Sequence, residues 1–322
     1  MWARLRRILN KMKWNVEEIR KIIRERIPEG SVVLAHNERG HFYKPAKGDN
    51  EPMFPSVTGR LQVLKDESLI NYKMNRALEY VFKNYPGFDD KNIMTHMEAA
   101  ERMSADIFED AGDIGRDIHD YRQKYFNHWI KTGKRLDNIL NFIPPDKNDI
   151  RAVSALRALE QFVINRNYRP IITELPILSL KLKVGGTLDD LGLMDNILRI
   201  GDPECEHEII ESQKTNFSHC VKCDRKIRTE FVLMDLKTSN ALKDHYFFQV
   251  SLYYEMFRKL TNLKPERCFI LKLSKEDGTY KIEDLKRPGR IARYARSMLI
   301  TNEGIDFIKN LRKDNQKVVL KI

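Results

Sequence analysis

Two charged side chains, Asp235 and Lys237, carry the most specific chemistry in this chain. They follow the apolar run Phe231 to Met234 in the segment Asp235-Leu236-Lys237-Thr238-Ser239. Such a run reads as a buried strand, and positions two apart leave a strand on the same side. A carboxylate beside an ammonium suits phosphodiester hydrolysis: the acid holds a divalent cation and the amine positions or activates a water. Gly186-Thr187-Leu188-Asp189 ends another strand-like run and supplies a second carboxylate. Asp190 is expected on the opposite face, which makes Asp189 the ligand. Gln249 and Tyr253 lie one helical turn apart and share a face. A surface ion pair on an exposed turn is the competing reading of Asp235 and Lys237 alone. Packing against the sheet competes for Gln249 and Tyr253, although a buried glutamine needs partners such as phosphate or a base.

A second constellation has metal-ligand spacing. Cys205-Glu206-His207 is followed by twelve residues and then Cys220-Val221-Lys222-Cys223. Two close pairs of soft ligands are the plan of a structural zinc ribbon. Cys205, His207, Cys220 and Cys223 are therefore expected to bind one Zn²⁺ in a closed, four-ligand cage, organising a stretch otherwise too polar to fold. His219 competes as a ligand, and the Cys-x-His spacing favours His207. An unstructured loop with incidental cysteines is the alternative.

The order Gly-x-x-Asp, Asp-x-Lys-Thr-Ser and Gln-x-x-x-Tyr resembles the PD-(D/E)XK nucleases of the RecB-type exonuclease branch. It is similar to the mitochondrial genome-maintenance and phage exonucleases of that branch. Pro55-Ser56-Val57-Thr58, opening a helix after a hairpin-like segment, and Gly115-Arg116-Asp117-Ile118-His119 extend the likeness. It covers about Tyr43 to Leu273. The resemblance implies an α/β (α+β) fold with a restriction-endonuclease-like mixed sheet core flanked by helices, an N-terminal helical arch and, here, the small zinc-ribbon insertion. It also implies one or two Mg²⁺ or Mn²⁺ ions at His119, Asp189, Asp235 and the Leu236 carbonyl, with Glu174 binding metal or orienting water. Substrate contacts fall to Gln249, Tyr253, Ser56, Thr58, Thr238 and Ser239. A structural role competes for His119, and a solubility charge on an edge strand for Glu174. Some nucleases of this branch hold a four-cysteine iron–sulfur cluster; here Cys268 alone follows the core, so none is expected.

The elements that must position these residues divide the chain into residues 1–50 (a basic helix and hairpin), 51–168 (a helical arch) and 169–322 (the core, with its zinc-binding insertion at 201–229). Trp2 to Ile27 reads as a basic helix, open as a plain solvated helix, a DNA-contacting arm or a membrane-surface helix. Ser31 to His36 and His41 to Lys44 read as strands. A helical region from Met97 to Trp129 is expected to break near Gly112 and Gly115, and Asp149 to Asn165 to form another helix. Strands are expected at Ile171–Thr173, Ile177–Val184, Thr187–Leu193, Ile197–Ile200, Phe231–Leu236 and Cys268–Leu273, with a possible one near Tyr280. A helix is expected from His245 to Leu260. A basic helix (Arg287 to Arg312) and a strand-like tail (Val318 to Ile322) complete the pattern.

A chain of 322 residues with a net charge of +11 suits a polyanionic partner. No apolar run approaches membrane-spanning length and no signal peptide is visible, and the cysteines read as metal ligands, so an intracellular, cytoplasmic location is expected (the bacterial host's cytoplasm, were the chain phage-encoded). The expected activity is metal-dependent hydrolysis of DNA, single-stranded or with a free end, by an exonuclease of recombination, repair or replication, with a recombination or replication protein as a possible partner. A zinc-ribbon nucleic-acid-binding scaffold with a silent core and a structure-specific endonuclease are the alternatives.

Overall fold

The structure is a computed structural model that describes residues 14–37, 40–48, 51–61, 67–84, 93–144, 147, 149–202, 204–212, 215–239, 241–297 and 299–300. The part of the expected N-terminal basic helix before Trp14, the end of the expected helix Arg287 to Arg312, and the tail Val318 to Ile322 lie outside the described residues.

Helix α1 (Val16–Arg26) begins where the Asn15 side chain accepts hydrogen bonds from the backbone N–H groups of Glu17 and Glu18, a good N-cap. Strands β1 (Val32–Asn37) and β2 (Gly40–Pro45) form an antiparallel hairpin, joined by the two-residue β3 (Phe54–Pro55). Ser56 then caps the short α2 (Val57–Arg60), its Oγ accepting from the Gly59 N–H at 2.9 Å. Two long helices follow, α3 (Glu67–Asn84) and α4 (Ile93–Thr132).

Helix α4 is continuous over 40 residues, so the break expected near Gly112 and Gly115 does not occur. A glycine inside a helix costs only about 1 kcal/mol relative to alanine, which flanking helical turns easily absorb. Helix α5 (Ile150–Asn165) starts at its Asp149 cap, as the pattern predicts.

The core sheet is built from β4 (Arg169–Ser179), β5 (Val184–Arg199), β8 (Lys226–Lys237), β9 (Arg267–Leu273) and β10 (Tyr280–Asp284), in the order β10-β9-β8-β5-β4. β4, β5 and β8 are mutually antiparallel, and β9 runs parallel to β8 after the crossover helix α6 (Asp244–Thr261). The result is a mixed α/β fold with a mixed sheet core flanked by helices, as expected. Two expected boundaries are corrected. Ile177–Val184 is not one strand, because β4 ends at Ser179 and Lys183 turns the chain with φ 51°. Thr187–Leu193 and Ile197–Ile200 are parts of one strand ending at Arg199. Asp195 and Asn196, in the stretch between them, are held by Thr229, Asn167 and Glu230.

Each face of the sheet buries its own core. Phe231 and Leu233 pack with Ile19 and Ile23 of α1 and Val250 and Phe257 of α6. Val232, Met234 and Leu236 pack with Phe126 of α4 and Leu159 and Phe162 of α5. Alternate residues of β8 thus serve opposite layers, the period-two signature of a strand covered on both sides. A helix at 288–297 follows β10.

The insertion is a small hairpin, β6 (Ile209–Glu211) and β7 (Phe217–Cys220), with β7 pairing onto the start of β8. It sits at one end of the β5–β8 ladder, which runs from Arg199↔Lys226 to Asp190↔Met234. At about 3.4 Å per residue the insertion and the paired acids stand roughly 30 Å apart.

Candidate active site

Three carboxylates cross the sheet in a row. Thr173 pairs with Asp190 and Leu175 with Leu188, so Glu174 of β4 lies opposite Asp189 of β5. Asp190 pairs with Met234, so Asp189 in turn lies opposite Asp235 of β8. The ladder is irregular here: Glu174 adopts φ 51°, a left-handed conformation that costs a non-glycine residue about 1 kcal/mol or more. Regular pleating would send neighbouring side chains to opposite faces, yet Glu174, Asp189 and Asp190 all reach the same helix, so the expected separation of Asp190 from Asp189 does not hold at Arg122.

That helix is α4. His119 Nδ1 stands 3.9 Å from Asp189 Oδ2. Three residues further along the same helical face, Arg122 is fully buried. Its guanidinium pairs with Glu174, lies 2.6 Å from Asp190 Oδ2, and is 3.7 Å from Asp189 Oδ2. Asp189 also accepts a hydrogen bond from the Leu236 N–H at 2.8 Å. On β8 the Lys237 ammonium sits 2.6 Å from Asp235 Oδ2 and 5.0 Å from the centre of the Tyr246 ring of α6, a cation–π distance.

A cavity of about 490 Å³ opens over this row, lined by His119, Glu174, Asp189, Lys237, Thr238 and Ser239 among others. Gly112 and Gly115 of α4 also line it. A Cβ at Gly115 would approach Thr238 Oγ1 to 3.3 Å, so the glycine lets the helix lie close to the strand end.

The electrostatics follow from burial and crowding. Burial pushes the Glu174 carboxyl up to about 7, with Asp189 adding to the shift and Arg122 opposing it. Asp235 is pushed up to about 6 by burial and by Asp189, against the pull of Lys237. Asp189 goes the other way: burial is outweighed by His119, Arg122, Lys237 and the Leu236 N–H, which hold it below the usual range. Burial alone disfavours the Lys237 cation, yet Asp235 and Asp189 keep its pKa above the ordinary lysine value. His119 is drawn down to about 4 by its packed surroundings, although 31% of its side chain faces the cavity. A neutral imidazole is the form that coordinates metal.

These groups fit a hard divalent cation. Ligand atoms of His119, Glu174 and Asp189 lie within 4.8 Å of one another. Asp235 stands outside that trio, turned onto Lys237, and its buried Oδ1 has no hydrogen-bond partner. Buried carboxylate oxygens are normally satisfied, and a cation at this end of the sheet would satisfy this one.

The other expected substrate residues are placed differently. Gln249 and Tyr253 are buried on α6, with Gln249 Nε2 donating to Tyr253 Oη at 3.3 Å, and neither lines the cavity. Burial and the nearby Asp235 raise the Tyr253 phenol well above its ordinary pKa. Ser56 is committed to its helix cap, and Thr58 lies 3.4 Å from the same Oγ; neither lines the cavity. Arg122 was not anticipated, though its position one helical turn after His119 was a usable signal.

In the insertion, the ligand atoms of Cys205, His207, Cys220 and Cys223 lie within 4.8 Å of one another. Cys205 and Cys220 sulfurs are 3.8 Å apart, and Cys223 Sγ is 3.5 Å from His207 Nδ1. Two pairs of soft ligands closed on one point could hold a metal such as zinc. His219 is not part of this cluster.

No protein-family model matches the chain, and no curated protein matches it. Among solved structures, the crystal structure of SSO0001 is similar over 59% of this chain and 74% of that one, at 12% identity and a TM-score of 0.21. A superposition that loose says nothing about function. Among the described residues, no helix is long and apolar enough to cross a membrane.

Proposed function

We propose that this chain is a metal-dependent nuclease of the PD-(D/E)XK type that hydrolyses DNA from a free end, with a preference for single strands. One observation carries the reading: Glu174, Asp189 and Asp235 stand side by side on three adjacent strands, with Lys237 following Asp235 on the wall of the cavity. The succession of α5, three antiparallel strands, α6 and the parallel β9 agrees with the core of that superfamily.

Asp189, Asp235, His119, Glu174 and the Leu236 carbonyl are the groups that would hold Mg²⁺ or Mn²⁺. Such an ion, when bound, polarises a phosphate and makes its bound water more acidic. The chain's own residues do the rest. Lys237, anchored on Asp235 and Tyr246, presents a cation beside the row of acids and orients a water toward the phosphate. Thr238 and Ser239 offer hydroxyls to the substrate backbone at the cavity edge. Gln249 and Tyr253 brace one another on the buried face of α6. The zinc cage of Cys205, His207, Cys220 and Cys223 is architectural, being closed and roughly 30 Å from the acids. The net charge of +11 supplies a salt-sensitive attraction for nucleic acid.

The test uses end-labelled linear and circular single strands, with Mg²⁺ and with chelator. Digestion of the linear strand only, and only with metal, is expected. Cleavage of the circle would replace this reading with an endonuclease, and binding without any cleavage would replace it with the scaffold.

A further inference from the structure

The described fold begins at the foot of the β6–β7 hairpin. The Trp14 backbone N–H donates to Asn216 Oδ1 at 2.8 Å, and its indole N–H donates to Glu266 Oε2 at 2.7 Å. The indole lies against Phe231, 5.2 Å between ring centres. The other oxygen of Glu266 pairs with Arg228, whose guanidinium stands 5.9 Å from the centre of the Phe217 ring. The chain preceding Trp14 therefore starts beside Phe217 of β7.

The hairpin leaves an apolar patch uncovered at that point. Ile209, Ile210, Phe217 and Val221 are all exposed, Phe217 to 47%. Ile210 pairs with His219, two residues from Phe217, so Ile210 and Phe217 share one face. One exposed isoleucine needs no explanation, but large apolar side chains gathered on a hairpin of two short strands mark a contact surface. The charge beside the patch is one-sided. Residues 202–213 include Asp202, Glu204, Glu206, Glu208 and Glu211 and no lysine or arginine. Lys222 answers Glu208, at 3.7 Å.

One segment of this chain has the complementary pattern. Residues 1–13, outside the described residues, carry Arg4, Arg6, Arg7, Lys11 and Lys13 and no acid. Trp2, Leu5, Ile8, Leu9 and Met12 recur among them at helical spacing. A helix of that length would span about 20 Å, enough to cross β7, which at about 3.4 Å per residue is shorter. Attachment at Trp14 gives the segment an effective concentration beside the patch that a free partner lacks. Nucleic acid, by contrast, would meet a row of carboxylates.

We propose that residues 1–13 dock on the zinc hairpin, with their apolar side chains on Ile210 and Phe217 and their cations against the acids of 202–211. The hairpin is then a platform for the chain's own N-terminal segment, and the four soft ligands, by folding that platform, hold the segment in place. The inference does not depend on the nuclease reading.

Hydrogen–deuterium exchange on the zinc-loaded full chain, at two protein concentrations, tests it. Amides of residues 2–12 should be protected in the wild type and exchange at least about 10-fold faster in the double variant Ile210→Ser, Phe217→Ser. Both side chains are exposed, so this variant should keep its zinc and the protection of residues 231–236. The charge-reversed double variant Glu204→Lys, Glu206→Lys should release the segment without altering the apolar patch. An unprotected segment in the wild type would overturn the inference, as would protection retained by either zinc-loaded variant. Protection that rises with protein concentration would assign the patch to a second copy of the chain instead. Protection that appears only with an added single-stranded oligonucleotide would make the segment a nucleic-acid arm and overturn the docking equally. Should one double variant lose its zinc, the other decides.

Discussion

The backbone N–H of Leu236 donates to Asp189 Oδ2 at 2.8 Å. This bond joins the β5 acid to the strand carrying Asp235 and Lys237, at the point where the β5–β8 ladder ends. The Asp189 carboxylate, 46 positions from Asp235 in the chain, is therefore tied to the main chain of the strand that carries Asp235. A preset arrangement of that kind avoids paying ordering entropy when a cation binds.

Removing either partner of the β8 pair should abolish cleavage without unfolding the chain. Asp235→Asn and Lys237→Ala are each expected to slow hydrolysis at least about 100-fold, the usual contribution of a positioned acid–base or metal-organising group. DNA retention on a filter should remain near wild type. Wild-type cleavage by either variant would remove the assigned roles.

Metal should stabilise the protein more at alkaline than at acid pH. Glu174 is raised to about 7 and Asp235 to about 6, above their unfolded values near about 4. Between about pH 4 and 7 the folded state therefore holds protons that the unfolded state has released, and metal-free stability from these groups falls as pH rises through that window. A divalent ion relieves the repulsion, so the Tm gain on adding Mn²⁺ should be several degrees larger at pH 8 than at pH 5. Equal gains at both would contradict the shared-charge picture.

Gly186 leaves room for Tyr253: a Cβ there would lie 2.4 Å from the Tyr253 ring. Gly186→Ala should cost about 1–3 kcal/mol by overpacking, read as a lower urea midpoint. It should also lower activity, because Gly186 lies three residues before Asp189 on the same strand. A variant with unchanged stability and rate would show that the ring yields freely.

Chelated or mercurial-treated protein should release about one equivalent of zinc. Amide exchange should then accelerate across 205–223 while residues 231–236, buried in the sheet, stay protected. If protection is lost around Asp189 as well, the zinc cage is not a local device.

The expected fold class agreed with the structure because the apolar runs of β8 and β9 and the crossover helix between them are long and local. The same local reading failed at α4, where two glycines suggested a break that 40 residues of helix overrode. It failed again in β4 and β5, each of which runs on through a stretch that the pattern left outside its strands. Gln249 and Tyr253 were legible as a shared helical face, but not as a pair buried away from the cavity.

Residue identity and spacing determined which groups could do chemistry: Asp189, Asp235 and Lys237 at strand ends, and four soft ligands in two close pairs. Tertiary structure decided which of them meet. The alignment of Glu174 with Asp189 and Asp235 depends on register between strands and on one irregular backbone turn at Glu174, and Arg122 enters from a helix about fifty residues upstream of that turn. Pairing across strands is set by the packing of whole layers, and no local run of sequence contains that information.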